Sequence, residues 1–541
     1  TQYGPSRTQK SIHIYPFTRL TNARGRIIIC AEGKNGSLNM EEREHIGLMA
    51  RLKKLFAPKD LTRGDITKVI LSFSFPIILS YLFQQIYTIS DAAIVGQTLS
   101  AGEVAGVNDT TSLVFIFLQF AFGCSAGFCA VTGLKVGAND VEGTRRSLAT
   151  QFVLCAALTV VLTVASILLI DPMLAWINVL PSSGVVYESA RMYCLIIFAG
   201  IGAQMFYNFI CSFLRSLGDS FTPLAFLIFS TILNIGLDLL FIIAFRWGVA
   251  GAAVATVAAQ LLSTVACIAY TFIKYPDMRL HIADFRLTRR DVSVHLQQGI
   301  PLGLQFSVLA IGIIVMQSVV VSFDIVGGGM TEVNAAQNGF GTANKLNNFM
   351  MTPLSGLGVA MTSYAAQNLG AGETKRVRAG TNRALIIMLI FAAVLAGLGC
   401  LFTINGAYLY LFLSADKITA ETVRYGNTLL YTDFSMYFFL GAIFVVRSCV
   451  QGIGKSAFVL AAGAAELVAR ITVCLVLPAL VNGGPIDAGA SELSFFALCA
   501  ADPIAWVAAD LALLTPYIRN ILRCDYSYLD HAAQRAARAA K

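Results

Sequence analysis

The chain has 541 residues, of which 56% are hydrophobic and 13% are charged, and its formal net charge is +8. Soluble domains usually carry about 25% charged residues, so this composition excludes an ordinary soluble protein and predicts a lipid environment. The positive charge does not indicate nucleic-acid binding, because the basic residues recur in alternate loops between apolar stretches.

Residues 1–48 form a polar leader without a helical or strand-like pattern and without the apolar core of a signal peptide. The chain begins with Thr1, and Met40 and Met49 are alternative native starts. We expect this leader to be disordered or foreign to the native protein, and we exclude it from the fold.

Twelve apolar stretches follow the leader, each long enough for the roughly 20 residues that a transmembrane helix needs. The first six stretches begin near Ile66, Thr111, Leu148, Tyr187, Phe221 and Val249. The second six begin near Gln298, Asn334, Ala384, Asn427, Ala457 and Leu493. The sequence therefore predicts an all-α membrane protein with twelve transmembrane spans.

Basic residues are concentrated in alternate loops: before the first span and after the second, sixth, eighth and twelfth. The intervening loops are nearly free of them, with Arg246 and Lys417 as the exceptions. Basic loops usually face the cytoplasm, so we expect a multi-pass protein of the plasma (inner) membrane with both termini in the cytoplasm.

A basic cytoplasmic linker, residues 276–295, separates two lobes of six spans, 60–275 and 296–520, and a cytoplasmic tail follows at 521–541. Three local matches between the halves occur in the same order. They pair Pro76 with Pro301, residues 137–140 with 370–373, and residues 214–220 with 450–456. Repeats with even numbers of spans are related by a pseudo-twofold axis along the membrane normal, which is a transporter architecture.

Ionisable residues inside a membrane are costly and are functional candidates by default. In the first half these are Asp91 and Asp238, and nearby positions add oxygen and amide groups from Tyr87, Asn208, Asn234 and Thr256. Oxygen ligands suit a hard cation such as Na⁺. Two close carboxylates equally suit a proton, and the sequence leaves both choices open. The structural alternative is that each Asp satisfies a helix end or a polar neighbour.

The second half differs in its polar chemistry. Glu466 and Arg470 lie one turn apart in the order that favours an ion pair within a helix. Asp433 is a weaker candidate for a second cation site. Polar residues that could line a cavity or hold helices together are Gln337, Asn338 and Lys345.

Motifs for chemistry are absent from the sequence. The Gly454-Lys455-Ser456 segment lacks the upstream glycine of a phosphate-binding loop, since position 449 is Cys449. There is also no nucleophile elbow and no HExxH motif. We therefore predict a protein that is not an enzyme and has no cofactor and no metal other than Na⁺ at the cation site.

Several motifs resemble those of multidrug and toxic compound extrusion (MATE) transporters of the bacterial type. In the first half they are residues 75–77, 85–91, 95–96, 213–219 and 233–238. In the second half they are residues 367–372, 451–454 and 466–470. Their order and spacing over residues 60–520 make the resemblance strong.

The resemblance implies a twelve-helix, two-lobe transporter that exports small organic, often cationic, compounds in exchange for Na⁺ or H⁺. It also implies a cation site at positions matching Tyr87, Asp91, Asn208, Asn234, Asp238 and Thr256, and a hinge at Pro76. We expect a monomer. The alternatives are a flippase for lipid-linked oligosaccharides with the same architecture, a membrane-embedded transferase, and a receptor or scaffold that does not transport.

Overall fold

A computed structural model describes residues 57–526 except 328, 332, 415 and 416. The predicted leader and residues 527–541 of the predicted tail lie outside the described residues. In the first half the helices are Ile66–Thr98, Ala101–Gly137, Val141–Leu168, Val185–Ala199 with Ile201–Ser216, Phe221–Asp238 and Gly248–Lys274. In the second half they are Arg289–Ser322, Ala335–Gly370, Thr374–Thr403, Ala420–Ser435 with Tyr437–Gly452, Ser456–Asn482, and Glu492–Cys499 with Ala501–Pro516. We number these as the first to twelfth spans.

Shorter elements connect the spans. A helix at Ile170–Trp176 follows the third span, and a 3₁₀ turn at Ile282–Phe285 lies between the sixth and the seventh. The fifth and twelfth spans continue as π-helical turns at Leu239–Ala244 and Tyr517–Leu522. Strands β1 (Ile325–Val326) and β2 (Gly329–Met330) pair antiparallel after the seventh span.

Within the described residues, nine helices are long and apolar enough to cross a membrane, and two bent helix pairs raise the number to eleven. The bent pairs are the fourth and tenth spans, whose parts meet at 45° and 53°. The remaining member of the series is the eighth span, which has 36 residues but is more polar. It packs against the first, second, ninth and tenth spans, and many of its polar residues are buried there, among them Asn347, Gln367 and Asn368. The predicted twelve-span, all-α membrane fold is confirmed.

Several spans begin earlier than their apolar stretches. The second span begins at Ala101 because Glu103 accepts hydrogen bonds from the backbone N–H and the hydroxyl of Ser100, at 2.9 and 2.7 Å. The seventh begins at Arg289, inside the predicted linker, where Thr288 and Asp291 form the same kind of capping box. Such caps satisfy backbone groups at helix ends without any apolar side chain, so hydropathy does not detect them.

The first span contains Pro76, which has no N–H to donate to the Ser72 carbonyl four residues earlier. The ammonium group of Lys59, which precedes the helix, donates to that carbonyl at 2.5 Å. The backbone N–H of Lys59 also donates to the Gly218 carbonyl at 3.0 Å. A cation therefore satisfies the acceptor that proline leaves open and holds the entry of the first span against the fourth.

Backbone conformation supports the predicted repeat. Asn139 and Gly372, at matching positions, have left-handed φ angles of 55° and 77°. Gly218 and Gly454 match as well, with φ angles of 84° and 80°. Since L side chains rarely adopt this region, the same loop geometry has been kept in both halves.

The halves meet through a reciprocal contact between the second and eighth spans. A Cβ atom on Gly137 would overlap the Gln367 carbonyl, and one on Gly370 would overlap the Leu134 carbonyl. The positions 134 and 137 in the first half match 367 and 370 in the second. Each glycine therefore contacts the partner of the other half that matches its own neighbour: 137 contacts 367, and 370 contacts 134. Such an exchange of contacts is what a twofold axis produces. The pseudo-twofold axis therefore passes between these two helix ends.

Two buried apolar cores correspond broadly to the two halves. The core of the second half also contains Ile70, Phe73 and Ile77 of the first span. The core of the first half is packed by Leu296 and Ile300 of the seventh span. The beginning of the first span therefore packs in the core of the second half, and the beginning of the seventh span packs against the core of the first half. The two lobes thus exchange apolar side chains near the basic loops.

Candidate functional site

The first and fifth spans bring the two predicted carboxylates into electrostatic range of each other. Asp91 lies near the end of the first span, and Asp238 is the last α-helical residue of the fifth. The Tyr87 hydroxyl donates to Thr256 Oγ1 of the sixth span at 3.4 Å and lies in the field of both carboxylates. Four of the predicted site residues therefore form one cluster.

Several polar atoms of this cluster lack hydrogen-bond partners among the described residues. Both carboxylate oxygens of Asp238 and both amide atoms of Asn234 are buried without a partner, as is Oδ1 of Asp91. Asp238 and Asn234 are both fully buried. A buried polar atom without a partner is costly, and native structures almost always satisfy such atoms or use them.

Asn208 of the fourth span has a buried Nδ2 without a partner, and no hydrogen bond joins it to the carboxylates. The residues brought together are thus Tyr87, Asp91, Asp238 and Thr256, with Asn234 one helical turn before Asp238. The assignment of Asn208 to the same site stays a prediction.

Tyr193 of the fourth span is a member of the cluster that sequence reasoning missed. It lies within electrostatic range of Asp91, Tyr87 and Asp238. Tyrosine is common in membrane spans, and its distance along the chain from Asp91 gives no signal. The π-helical turn that begins directly after Asp238 was also missed, and such turns occur often at functional sites.

The cluster can hold a cation. In the described residues, no Lys or Arg forms an ion pair with Asp91 or Asp238. Unpartnered carboxylate oxygens on Asp91 and Asp238 therefore offer negative charge in a low-dielectric interior, and the Asn234 amide oxygen offers a neutral ligand beside them. Oxygen ligands fit Na⁺, and a proton would neutralise one carboxylate directly. No group of three or more His, Cys, Asp and Glu side chains suits a transition metal within the described ranges.

Glu466 and Arg470 of the second half form ion pairs, and the predicted pair is part of a larger network of charges. Arg470 contacts Glu466 at 3.4 Å, but Glu466 lies closer to Arg447 of the tenth span, at 2.6 Å. Arg470 also reaches Asp502 of the twelfth span at 2.7 Å. The predicted ion pair between Glu466 and Arg470 is therefore present, but it does not stand alone. Four charges from three spans neutralise one another.

Asp433 of the tenth span is fully buried, and its Oδ2 accepts a hydrogen bond from Asn347 Nδ2 at 2.6 Å. Asn347 Oδ1 in turn accepts from the Tyr437 hydroxyl. The other carboxylate oxygen of Asp433 is buried without a partner. Asp433 is thus partly satisfied, unlike Asp238.

Three other predicted cavity residues lie in the first third of the eighth span. Asn338 Nδ2 donates to the Val333 carbonyl at 2.6 Å. The backbone N–H of Gln337 donates to Asp324 at 2.8 Å, whereas its side-chain Nε2 is buried without a partner. The exposed ammonium of Lys345 lies 5.2 Å from the centre of the Phe412 ring. Asp324, which caps this span, was not singled out in the sequence.

We call the membrane side that carries residues 137–141, 274–289 and 370–374 the basic side. Hydrogen bonds join the halves there: Gln367 Nε2 donates to the Ser216 carbonyl at 2.7 Å, and Asn368 Nδ2 to the Leu61 carbonyl at 3.1 Å. A further bond between the halves, from the Ser307 hydroxyl to the Ile116 carbonyl at 3.1 Å, joins the seventh and second spans. The protein is therefore closed on its basic side.

Comparison with known proteins identifies the fold and family. The MatE family model matches residues 76–240 and again residues 332–476, one match in each half. The probable multidrug resistance protein YpnP of Bacillus subtilis is 30% identical over 322 residues, covering 59% of this chain and 68% of that protein. The FAD transporter of Shewanella oneidensis is 22% identical over 346 residues, 62% of this chain and 72% of that protein.

Solved structures give the same architecture. An outward-facing MATE family multidrug transporter superposes with a TM-score of 0.73 at 22% identity, covering 85% of this chain and 97% of its own. A MOP superfamily transporter from Pyrococcus furiosus superposes with a TM-score of 0.72 at 21% identity over the same shares. Members of this family are transporters, which excludes the transferase alternative. The chain is a multi-pass membrane transporter of the MatE family.

Proposed function

We propose that this protein exports small organic compounds by secondary active antiport, driven by Na⁺ or H⁺ bound in the first half. The observation that carries the proposal is the pair of uncompensated carboxylates, Asp91 and Asp238, beside unpartnered amide atoms of Asn234. Relatives named as multidrug resistance proteins support drug-like compounds as the cargo.

Closure on the basic side supports an outward-facing state as the starting point of the cycle, with the basic side in the cytoplasm. A cation entering from outside binds Asp91 and Asp238 and cancels their repulsion. The first span then changes its packing at the Pro76 hinge, and the cargo leaves. Coupling requires that cation and cargo each bind the two states with different affinity.

The ion pairs of the second half bear on whether the cargo is anionic. Arg447 and Arg470 are paired with Glu466 and Asp502 and are therefore not available to an anionic ligand. This favours neutral or cationic organic compounds over a lipid-linked oligosaccharide, whose phosphates need unpaired cations. The flippase function stays the alternative. We propose the plasma (inner) membrane as the location and a monomer as the working unit.

The test is transport into inside-out membrane vesicles that contain the full chain. We expect Asp238→Asn to abolish export driven by an imposed Na⁺ or H⁺ gradient. The control is Asp171→Asn, which removes a half-exposed carboxylate paired with Arg191 outside the spans and leaves export unchanged. Imposing one gradient at a time identifies the coupling ion. Unchanged cation dependence in Asp238→Asn would refute the site assignment.

A further inference from the structure

Two acidic residues at the start of the seventh span and just before it, Asp291 and Asp284, form ion pairs with arginines of the third span. Arg145 Nε lies 2.7 Å from Asp284 Oδ2, and Arg146 Nε lies 2.9 Å from Asp291 Oδ2. Burial alone would raise the pKa of Asp284, but hydrogen bonds from the His281 N–H and from Arg145 outweigh it and lower the pKa. Asp284 therefore stays ionised and keeps Arg145 in place.

This pairing leaves neighbouring arginines without counter-charges. The side chains of Arg286, Arg289 and Arg290 are exposed, and none forms an ion pair within the part of the chain that the structure describes. Three exposed guanidinium groups thus lie within five residues on the basic side. Guanidinium groups recognise phosphate with paired, directional hydrogen bonds.

A groove of about 680 Å³ begins at Leu287, Thr288 and Arg289 and follows the seventh span, with Arg286 and Arg290 close by along the chain. Arg289 and Thr288 lie at one end, and Val292, Leu296 and Ile300 form an apolar wall at successive helical turns. The nine residues from Val292 to Ile300 rise about 12 Å along the helix, so the groove runs from the charged surface into the hydrocarbon depth. A soluble anion would use only the charged end of such a shape.

Apolar side chains of the same linker support contact with the bilayer. Ile282 is 91% exposed, and Phe285 beside it is also exposed. Both lie on the 3₁₀ turn Ile282–Phe285, between basic residues. An amphipathic segment of this kind lies at the headgroup boundary, with its apolar side chains among the acyl chains.

We propose that this groove is a binding site for one anionic phospholipid of the leaflet on the basic side. The phosphate contacts Arg286, Arg289 and Arg290, and one acyl chain lies along Val292, Leu296 and Ile300. The occupant is a lipid because the arginines complement the negative charge of its headgroup, and because the apolar groove runs in the direction in which acyl chains lie. The site is separate from the proposed cation cluster and does not depend on which compound is exported.

The experiment measures thermal unfolding of the purified full chain in detergent with increasing phosphatidylglycerol or phosphatidylcholine. We expect phosphatidylglycerol to raise the unfolding temperature of the wild type. In the triple variant Arg286→Gln/Arg289→Gln/Arg290→Gln, we expect the half-saturating concentration of phosphatidylglycerol to rise on the order of 100-fold, because each arginine near an anionic surface contributes about 1 kcal/mol. The matched control neutralises Lys375, Arg378 and Arg383, three exposed basic residues at the start of the ninth span. That control keeps the wild-type response.

A second variant separates the groove from the charge. Ser293→Phe fills the groove and leaves all three arginines, so we expect the response to phosphatidylglycerol to fall tenfold or more. Ser318→Phe, at another exposed serine of the same span, leaves it intact. An equal loss in the ninth-span control would overturn the proposal, because the effect would then be general surface attraction. So would equal stabilisation by phosphatidylcholine, or full competition by soluble glycerol phosphate.

Discussion

At the scale of single residues, the sequence was most informative where a side chain was rare for its surroundings. Asp91 and Asp238 were identified because carboxylates are uncommon inside spans. Tyr193 was not, because a tyrosine in a span is ordinary and only the packed structure brings it to the carboxylates. The partners of Glu466 were missed for the same reason, since helical spacing predicts contacts within a helix and not between three helices.

Tyr193 gives a prediction at this scale. If its hydroxyl helps hold the cation beside Asp91 and Asp238, Tyr193→Phe should raise the half-saturating cation concentration about 10-fold, because a hydrogen bond to a charged group contributes about 1.5–3 kcal/mol. The maximal export rate should change little. The measurement is the export rate against cation concentration in inside-out vesicles.

The control lies on the same helix. Tyr187 donates to Asp171 at 3.0 Å, away from the cluster, so Tyr187→Phe should leave the cation response at the wild-type value. An unchanged response in Tyr193→Phe would mean that this tyrosine only fills space beside the carboxylates.

At the scale of helices and loops, the number and order of the spans could be predicted because an apolar stretch of sufficient length has few other uses. Their ends and bends could not. The second span starts at the cap residue Ser100, and the fourth and tenth spans are broken. These features depend on side-chain caps and on packing, neither of which alters mean hydropathy.

The contact between Lys59 and the carbonyl freed by Pro76 is testable with a double-mutant cycle. Lys59→Met should lower the free energy of unfolding by about 0.5–1.5 kcal/mol, because the exposed Ser72 carbonyl exchanges a protein donor for water. In a Pro76→Ala background the new N–H of residue 76 can donate to Ser72, so the same change should cost much less. Thermal or denaturant unfolding in detergent measures both differences.

Lys68→Met is the matched control for this cycle, since Lys68 is exposed in the first turn of the same span. It should have little effect in either background. Equal costs of Lys59→Met with and without Pro76 would show that the lysine acts elsewhere, for example through its backbone contact with Gly218.

At the scale of the whole molecule, duplication could be predicted because three motifs recur in order, and the family model matches each half separately. What the sequence could not predict is how the halves meet. The reciprocal contact uses backbone carbonyls of Leu134 and Gln367, so the side-chain identities carry no sign of it. The glycines at 137 and 370 could have been assigned to the loops alone.

This contact closes the basic side, and its prediction concerns the balance between the two states of the transporter. Gly370→Ala places a methyl group against the Leu134 carbonyl and forces the ends of the second and eighth spans apart. Overpacking costs about 1–3 kcal/mol, so the population closed on the basic side should fall about 5- to 150-fold relative to the open one. Gly341→Ala, in the same span with open space around it, is the control and should transport normally. Export rates, with labelling from the basic side of a cysteine introduced at the buried Ser216, whose carbonyl still accepts from Gln367, would report the shift. Normal export and unchanged labelling in Gly370→Ala would show that this contact does not govern closure.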